Sequence, residues 1–114
     1  MPGYEKLRAT IGRGFYIDNL RAITNLSLDI LQSGPTNPAI FFTIAAISRW
    51  VADAWDDVGP PGIPVARVER QLKPYLKRLM DAADTDAATA SIALNQAAIA
   101  FKEAVKQGLD SDFI

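Results

Sequence analysis

The stretch PAIFFTIAAISRW, residues 38–50, decides how this chain of 114 residues folds. Its apolar residues recur at three- and four-residue spacing instead of alternating, so it reads as a helix. Asn37 can cap the first turn, and Pro38 stands at the first helical position, where a missing N–H leaves nothing unsatisfied. The helix is expected to run to residue 57. At about 100° per residue, Ile40, Ile44, Ile47, Val51, Ala54 and Trp55 form one core stripe, with Phe41 and Ala45 on its flank. A second ridge, Phe42, Ala46 and Trp50, is spaced by fours and lies across the helix among Arg49, Asp53 and Asp57. Two readings fit such a ridge. A central helix can touch neighbours on two sides. Alternatively, since each helix of a four-helix domain keeps one face in water, the ridge is a contact surface, where aromatic anchors are enriched.

Outward from this helix, breakers and capping residues mark loops at SGPTNP (33–38), GPPGIP (59–64) and ADTD (83–86). The segments between them keep helical periodicity, which predicts helices over 4–11, 16–32, 38–57, 65–82 and 85–107. The expected fold is all-α: one domain, an antiparallel four-helix bundle-like arrangement with a short extra N-terminal helix. In the helix over 16–32, Tyr16, Leu20, Ile23, Ser27 and Leu31 line a stripe flanked by Ile17, Thr24, Leu28 and Ile30, while Asp18, Arg21, Asn25 and Asp29 face away. Gly34 and Pro35 stop it. Over 65–82 the stripe is Val65, Val68, Leu72, Leu76 and Leu79, with Pro74 inside the helix cancelling the bond to the carbonyl of Arg70 and predicting a kink.

The last helix is expected to start at an Asp84 or Thr85 cap, to bury Ala87, Ala90, Leu94, Ala98, Phe101 and Val105, and to end at Gly108. Ile92 and Ile99, a heptad apart, fall on its opposite side beside Gln96 and Glu103. Two helices thus each carry an extra apolar line. A patch made of Phe42, Ala46, Trp50, Ile92 and Ile99 would suit a two-fold homodimer, the commonest closed assembly.

Composition removes several kinds of chemistry. The chain has no cysteine and no histidine, which excludes disulfides, thiolate catalysis, zinc–thiolate sites and any Ser-His-Asp triad within one chain. The net charge of −1 provides no global attraction to nucleic acid or to an anionic membrane. The start MPGYEKLRAT lacks the basic-then-apolar layout of a signal peptide, and the apolar run from Ala39 meets Arg49 well short of the roughly 20 residues a span needs. A cytoplasmic chain with no cofactor and no membrane span is the expectation.

Three clusters carry possible chemistry. Asp53, Asp56 and Asp57 lie within about one helical turn, where carboxylates can hold a divalent metal through oxygen. The default reading is a structural ion-pair cluster with Arg67 and Arg70, because three carboxylates at a helix C-terminus oppose the macrodipole and call for cationic neighbours; the metal site is the alternative to it. Arg67, Arg70, Lys73, Lys77 and Arg78 lie opposite the apolar stripe of their helix, and residues 67–78 carry about +4 of charge. They suit phosphates or an acidic partner, but without interleaved aromatics a solvated face is the simpler account, and nucleic acid is not the expected partner. IGRGF (11–15) places Arg13 between glycines before a helix, an arrangement that can bind an anion through backbone N–H groups, or simply turn a corner. The leading expectation is a small non-catalytic interaction or regulatory module that self-associates through the outer faces of the second long helix and the last helix. The alternatives are a carboxylate–metal protein at Asp53, Asp56 and Asp57, an apolar-ligand carrier, and a phosphate-backbone binder using the basic helix.

Overall fold

A computed structural model describes residues 3–58 and 65–106, with side chains left out of the description at 55–58 and 65–66. The all-α class is as expected: the described residues form helices α1 (Tyr4–Arg13), α2 (Ile17–Gln32), α3 (Pro38–Val58), α4 (Val65–Asp81) and α5 (Ala87–Ala104). No described helix is long and apolar enough to cross a membrane.

The most extensive packing joins α2 to α3, and α4 to α5 comes next. Helix α1 packs on both α2 and α4, while α3 meets α4 and α5 more lightly. So α1 is an integral layer of the core: its Leu7 and Ile11 have no solvent-accessible surface. The largest fully buried side chains come from four helices and the α1–α2 corner, with Phe15, Leu20, Ile23, Ile40, Phe41, Ile44, Leu72, Leu76 and Leu79 joining those of α1. Burial of such aliphatic and aromatic groups, roughly 1.5–3 kcal/mol each, is what opposes chain entropy in a domain of this size.

Helix ends show which local signals decide. Helix α1 runs through Gly12 to Arg13, two residues beyond its expected stop, and ends where Gly14 takes φ 120°, a backbone angle only glycine adopts freely. Helix α2 stops as expected before Gly34, at φ 77°. The cap of α5 is Asp86, whose carboxylate accepts from the Thr89 N–H at 2.8 Å, and not Asp84 or Thr85. Thr85 is instead occupied with its hydroxyl on the Ala82 carbonyl at 2.6 Å. Asn37, expected as a cap of α3, uses its side-chain amide to donate to the carbonyls of Ala83 (2.8 Å) and Thr85 (2.9 Å). The loop before α3 is thereby tied to the loop before α5. Helix α4 continues through Pro74, and the expected terminator Gly108 lies outside the described residues.

Buried polar groups on the α2 stripe are satisfied locally. Thr24 and Ser27 donate to the carbonyls of Leu20 (2.9 Å) and Ile23 (2.7 Å), one turn back, and so enter the core without an orphan hydroxyl. Ser48 on α3 differs: its hydroxyl is buried and has no hydrogen-bond partner.

Candidate functional site

The ridge on α3 borders a groove. Helix α3 buries a wide arc, Ile40, Phe41, Ile44, Ala45, Ile47, Ser48, Val51 and Ala52, so Phe41 and Ala45 belong to the core and not to a flank. That arc leaves Phe42, Ala46, Arg49, Trp50 and Asp53 outside. Between them and α2 runs a cavity of about 400 Å³, lined by Thr24, Leu28, Phe42, Ala46, Trp50 and the Arg49–Asp53 turn among others. Phe42 is 62% exposed, Trp50 39% and Leu28 37%. The Trp50 ring is held edge-on against Phe101 of α5, centroids 5.3 Å apart, and so is positioned with part of its surface in water.

A second cavity of about 340 Å³ continues this groove toward Arg21 and Asn25, sharing Thr24, Leu28, Arg49 and Asp53. Asp53 lies 3.6 Å from Arg21 and 3.7 Å from Arg49. Both pairs are long, the first about half exposed and the second more so at Arg49, so each contributes at most about 1 kcal/mol. The cations beside Asp53 therefore come from α2 and from α3 itself, where Arg67 and Arg70 were expected. The side chains of Asp56 and Asp57 lie outside those described. Among the described residues no three acidic side chains gather as a metal site would require.

Ile92 and Ile99 are 61% and 63% exposed, but they border different grooves. Both grooves run along the α4–α5 seam. One, about 460 Å³, includes Arg70, Tyr75, Arg78, Ile99 and Glu103; the other, about 280 Å³, includes Arg78, Ile92 and Gln96. The expected five-residue patch is thus divided: Phe42, Ala46 and Trp50 share a groove with Leu28, and the two isoleucines stand apart from it. Helix α5 also sits rotated from its expected stripe, burying Ala90, Ala93, Ala97 and Ala104 while Ala87 and Ala98 face water. Alanines on nearly every side of α5 made its periodicity a poor guide.

The corner at IGRGF does hold an anion, one supplied by the chain itself. Glu69 Oε1 accepts from the Phe15 N–H at 2.6 Å, and a Cβ at Gly14 would stand 2.7 Å from the same oxygen. Asn19, buried, donates to the carbonyls of Thr10 (2.7 Å) and Gly14 (2.6 Å), and Lys73 donates to that of Gly12 at 2.8 Å. The segment is a corner between α1 and α2, and the N–H that the alternative reading offered to an external anion is taken by this carboxylate, while Arg13 itself is exposed in the last turn of α1, where a cation suits the helix dipole. The basic face of α4 is likewise partly engaged: Lys73 is bonded as above, and the Arg78 guanidinium lies over the Tyr75 ring at 4.8 Å. Arg70 and Lys77 are exposed, and Arg67 is half-buried. Glu69 and Asn19 are the residues that sequence reasoning missed; each sits in a helix, and only the meeting of α1, α2 and α4 reveals what it bonds.

Two titrating groups are shifted. Burial of the Tyr4 hydroxyl, and after it the charge of Asp84, raise the Tyr4 pKa above the ordinary phenol value. Its contribution to stability is present below the ordinary value and is lost as pH rises through the raised one. The Thr89 N–H, then the Thr89 side chain, lower the Asp86 pKa, so that contribution is present above the ordinary carboxylate value and lost as pH falls through the lowered one. Neither group lies in the α2–α3 groove. No known family matches this chain, and comparisons with curated proteins and with solved structures gave no match.

Proposed function

We propose that this chain is a small, non-catalytic helical interaction or regulatory module of the cytoplasm that self-associates, with α2 to α5 as an antiparallel four-helix scaffold and α1 as its added layer. The observation that carries the reading is the gathering of Leu28, Phe42, Ala46 and Trp50 around one open groove, three of them large apolar side chains left at least a third exposed. A contiguous apolar patch of this kind marks a contact site, whereas apolar side chains exposed singly need no explanation. The rim suits the same role: Arg21, Arg49 and Asp53 supply the charged border that surrounds interface cores.

Light scattering on a sizing column tests the proposal. The native chain elutes with the mass of a dimer, and Phe42→Asp elutes as a monomer with unchanged helical circular dichroism. A native chain that remains monomeric across the accessible concentration range overturns it.

A further inference from the structure

The seam between α4 and α5 carries charge that the fold leaves open. The two helices run antiparallel along it: Arg70 shares the groove of about 460 Å³ with Ile99 and Glu103, and Arg78 reaches the second groove beside Ile92. Arg70 and Lys77 are exposed and have no carboxylate partner among the described residues, and the Arg78 guanidinium lies over the Tyr75 ring. Glu103, the carboxylate of the first groove, already has a partner. Facing these cations, Ile92 and Ile99 are 61% and 63% exposed on α5. One bank of the seam is thus cationic and the other apolar, which suits an occupant that is acidic along one edge and apolar along the other.

A segment of that kind follows α5 directly. Residues 107–114, outside the described residues, read QGLDSDFI. Successive side chains of an extended chain point to opposite sides, an alternation that puts Asp110 and Asp112 on one edge and Leu109 and Phe113 on the other. Gly108 is the residue type that reverses a chain after a helix. We infer that residues 107–114 turn back along the α4–α5 seam, with Asp110 and Asp112 toward the arginines of α4 and with Leu109 and Phe113 toward the isoleucines of α5.

Reach, order and charge favour this occupant. Ile99 and Ile92 stand roughly 10 and 21 Å along the helix from Lys106, and a segment of eight residues spans up to about 26 Å. Running back along α5, the segment meets Arg70 before Arg78, the order in which it offers Asp110 and Asp112. Exposed ion pairs contribute little singly, so the apolar edge supplies the burial and the charges set the register. The α2–α3 groove is less suited to an acidic segment, since its Arg21 and Arg49 both face Asp53. The seam lies apart from that groove, so this docking is independent of the self-association proposed above.

Disulfide trapping in the full chain, which has no native cysteine, tests the docking. Ser111→Cys is combined either with Ala100→Cys, in the seam, or with Ala98→Cys, exposed and about 200° around the helix from Ala100. A disulfide needs its Cα atoms within about 7 Å, so the Ala100 pair closes an intrachain ring at least about ten-fold faster than the Ala98 pair, although Ala98 is the more exposed. Arg70→Glu with Arg78→Glu removes that preference, and adding Asp110→Lys with Asp112→Lys restores it. Equal closure of the two pairs means that the segment does not occupy the seam. A preference that survives the charge reversal shows that the arginines do not hold it, and covalent dimers in place of rings mean that it docks on a second copy; either result overturns the inference.

Discussion

Helices α3 and α5 are both apolar on more than one side, yet they are held in opposite ways. Helix α3 inserts bulk: Ile40, Phe41, Ile44, Ile47 and Val51 are all buried. Helix α5 buries alanines, Ala90, Ala93, Ala97 and Ala104, and only half-covers Leu94, Phe101 and Val105. A helix held by bulk is damaged when volume is removed. One held by close backbone approach is damaged when volume is added. The contrast also separates the exposed residues: beyond α3 the apolar surface is aromatic and borders one groove with Leu28, whereas beyond α5 it is two isoleucines in two grooves with arginines nearby.

The largest effect expected from this contrast lies between neighbours on α3. Phe41→Ala should destabilise the fold by about 3–5 kcal/mol, since Phe41 is fully buried against the Tyr4 ring at 5.0 Å. Phe42→Ala, measured by urea unfolding at concentrations where the chain is monomeric, should stay within about 0.5 kcal/mol. Comparable losses at both positions would mean that the Phe42 ridge is core after all.

On α5 the direction reverses. Ala97 has no exposed surface and Ala98 is exposed. Ala97→Leu should cost about 1–3 kcal/mol by overpacking, while Ala98→Leu should be close to neutral. If Ala97→Leu is tolerated, the alanine face leaves more room than close approach implies and the contrast with α3 weakens.

The smallest effect should be a gain. The Ser48 hydroxyl is buried without a partner, so Ser48→Ala removes a desolvated polar group and should stabilise the fold by up to about 1 kcal/mol. Ser27→Ala is the control: its hydroxyl is satisfied at 2.7 Å, and its removal should bring no comparable gain in a denaturant titration. A loss at Ser48 equal to that at Ser27 would show that the hydroxyl does find an acceptor.

These contrasts also explain what could be read in the sequence. Helix α4 was legible because its apolar and charged residues separate cleanly: Val68, Leu72, Leu76 and Leu79 are all buried, and Arg70, Lys77 and Arg78 are all exposed. The outward ridge of α3 was legible too, since Phe42, Ala46 and Trp50 repeat at one-turn spacing. Leu28, which completes that groove from α2, appeared only as a flank of a core stripe; its exposure depends on where α3 lies across it. Tyr16 was placed at the head of that stripe and is 52% exposed, because the chain is still extended there, at φ −116° and ψ 158°. Periodicity begins only where a helix does. The Glu69 contact was beyond reach for another reason: it joins residues 54 positions apart, and no local pattern encodes such a meeting.

That long-range contact has a bearing on how the chain acquires its shape. The turn between α1 and α2 is adjacent in sequence, and it would be natural to suppose that it closes as soon as both helices exist. Yet the groups that close it from outside, the Glu69 carboxylate on Phe15 and the Lys73 ammonium on Gly12, belong to α4. Asn19 braces the bend from within the hairpin, through the Thr10 and Gly14 carbonyls, while these two contacts fasten it to a helix more than fifty residues further on, so the α1–α2 corner is held both locally and by the second half of the polypeptide.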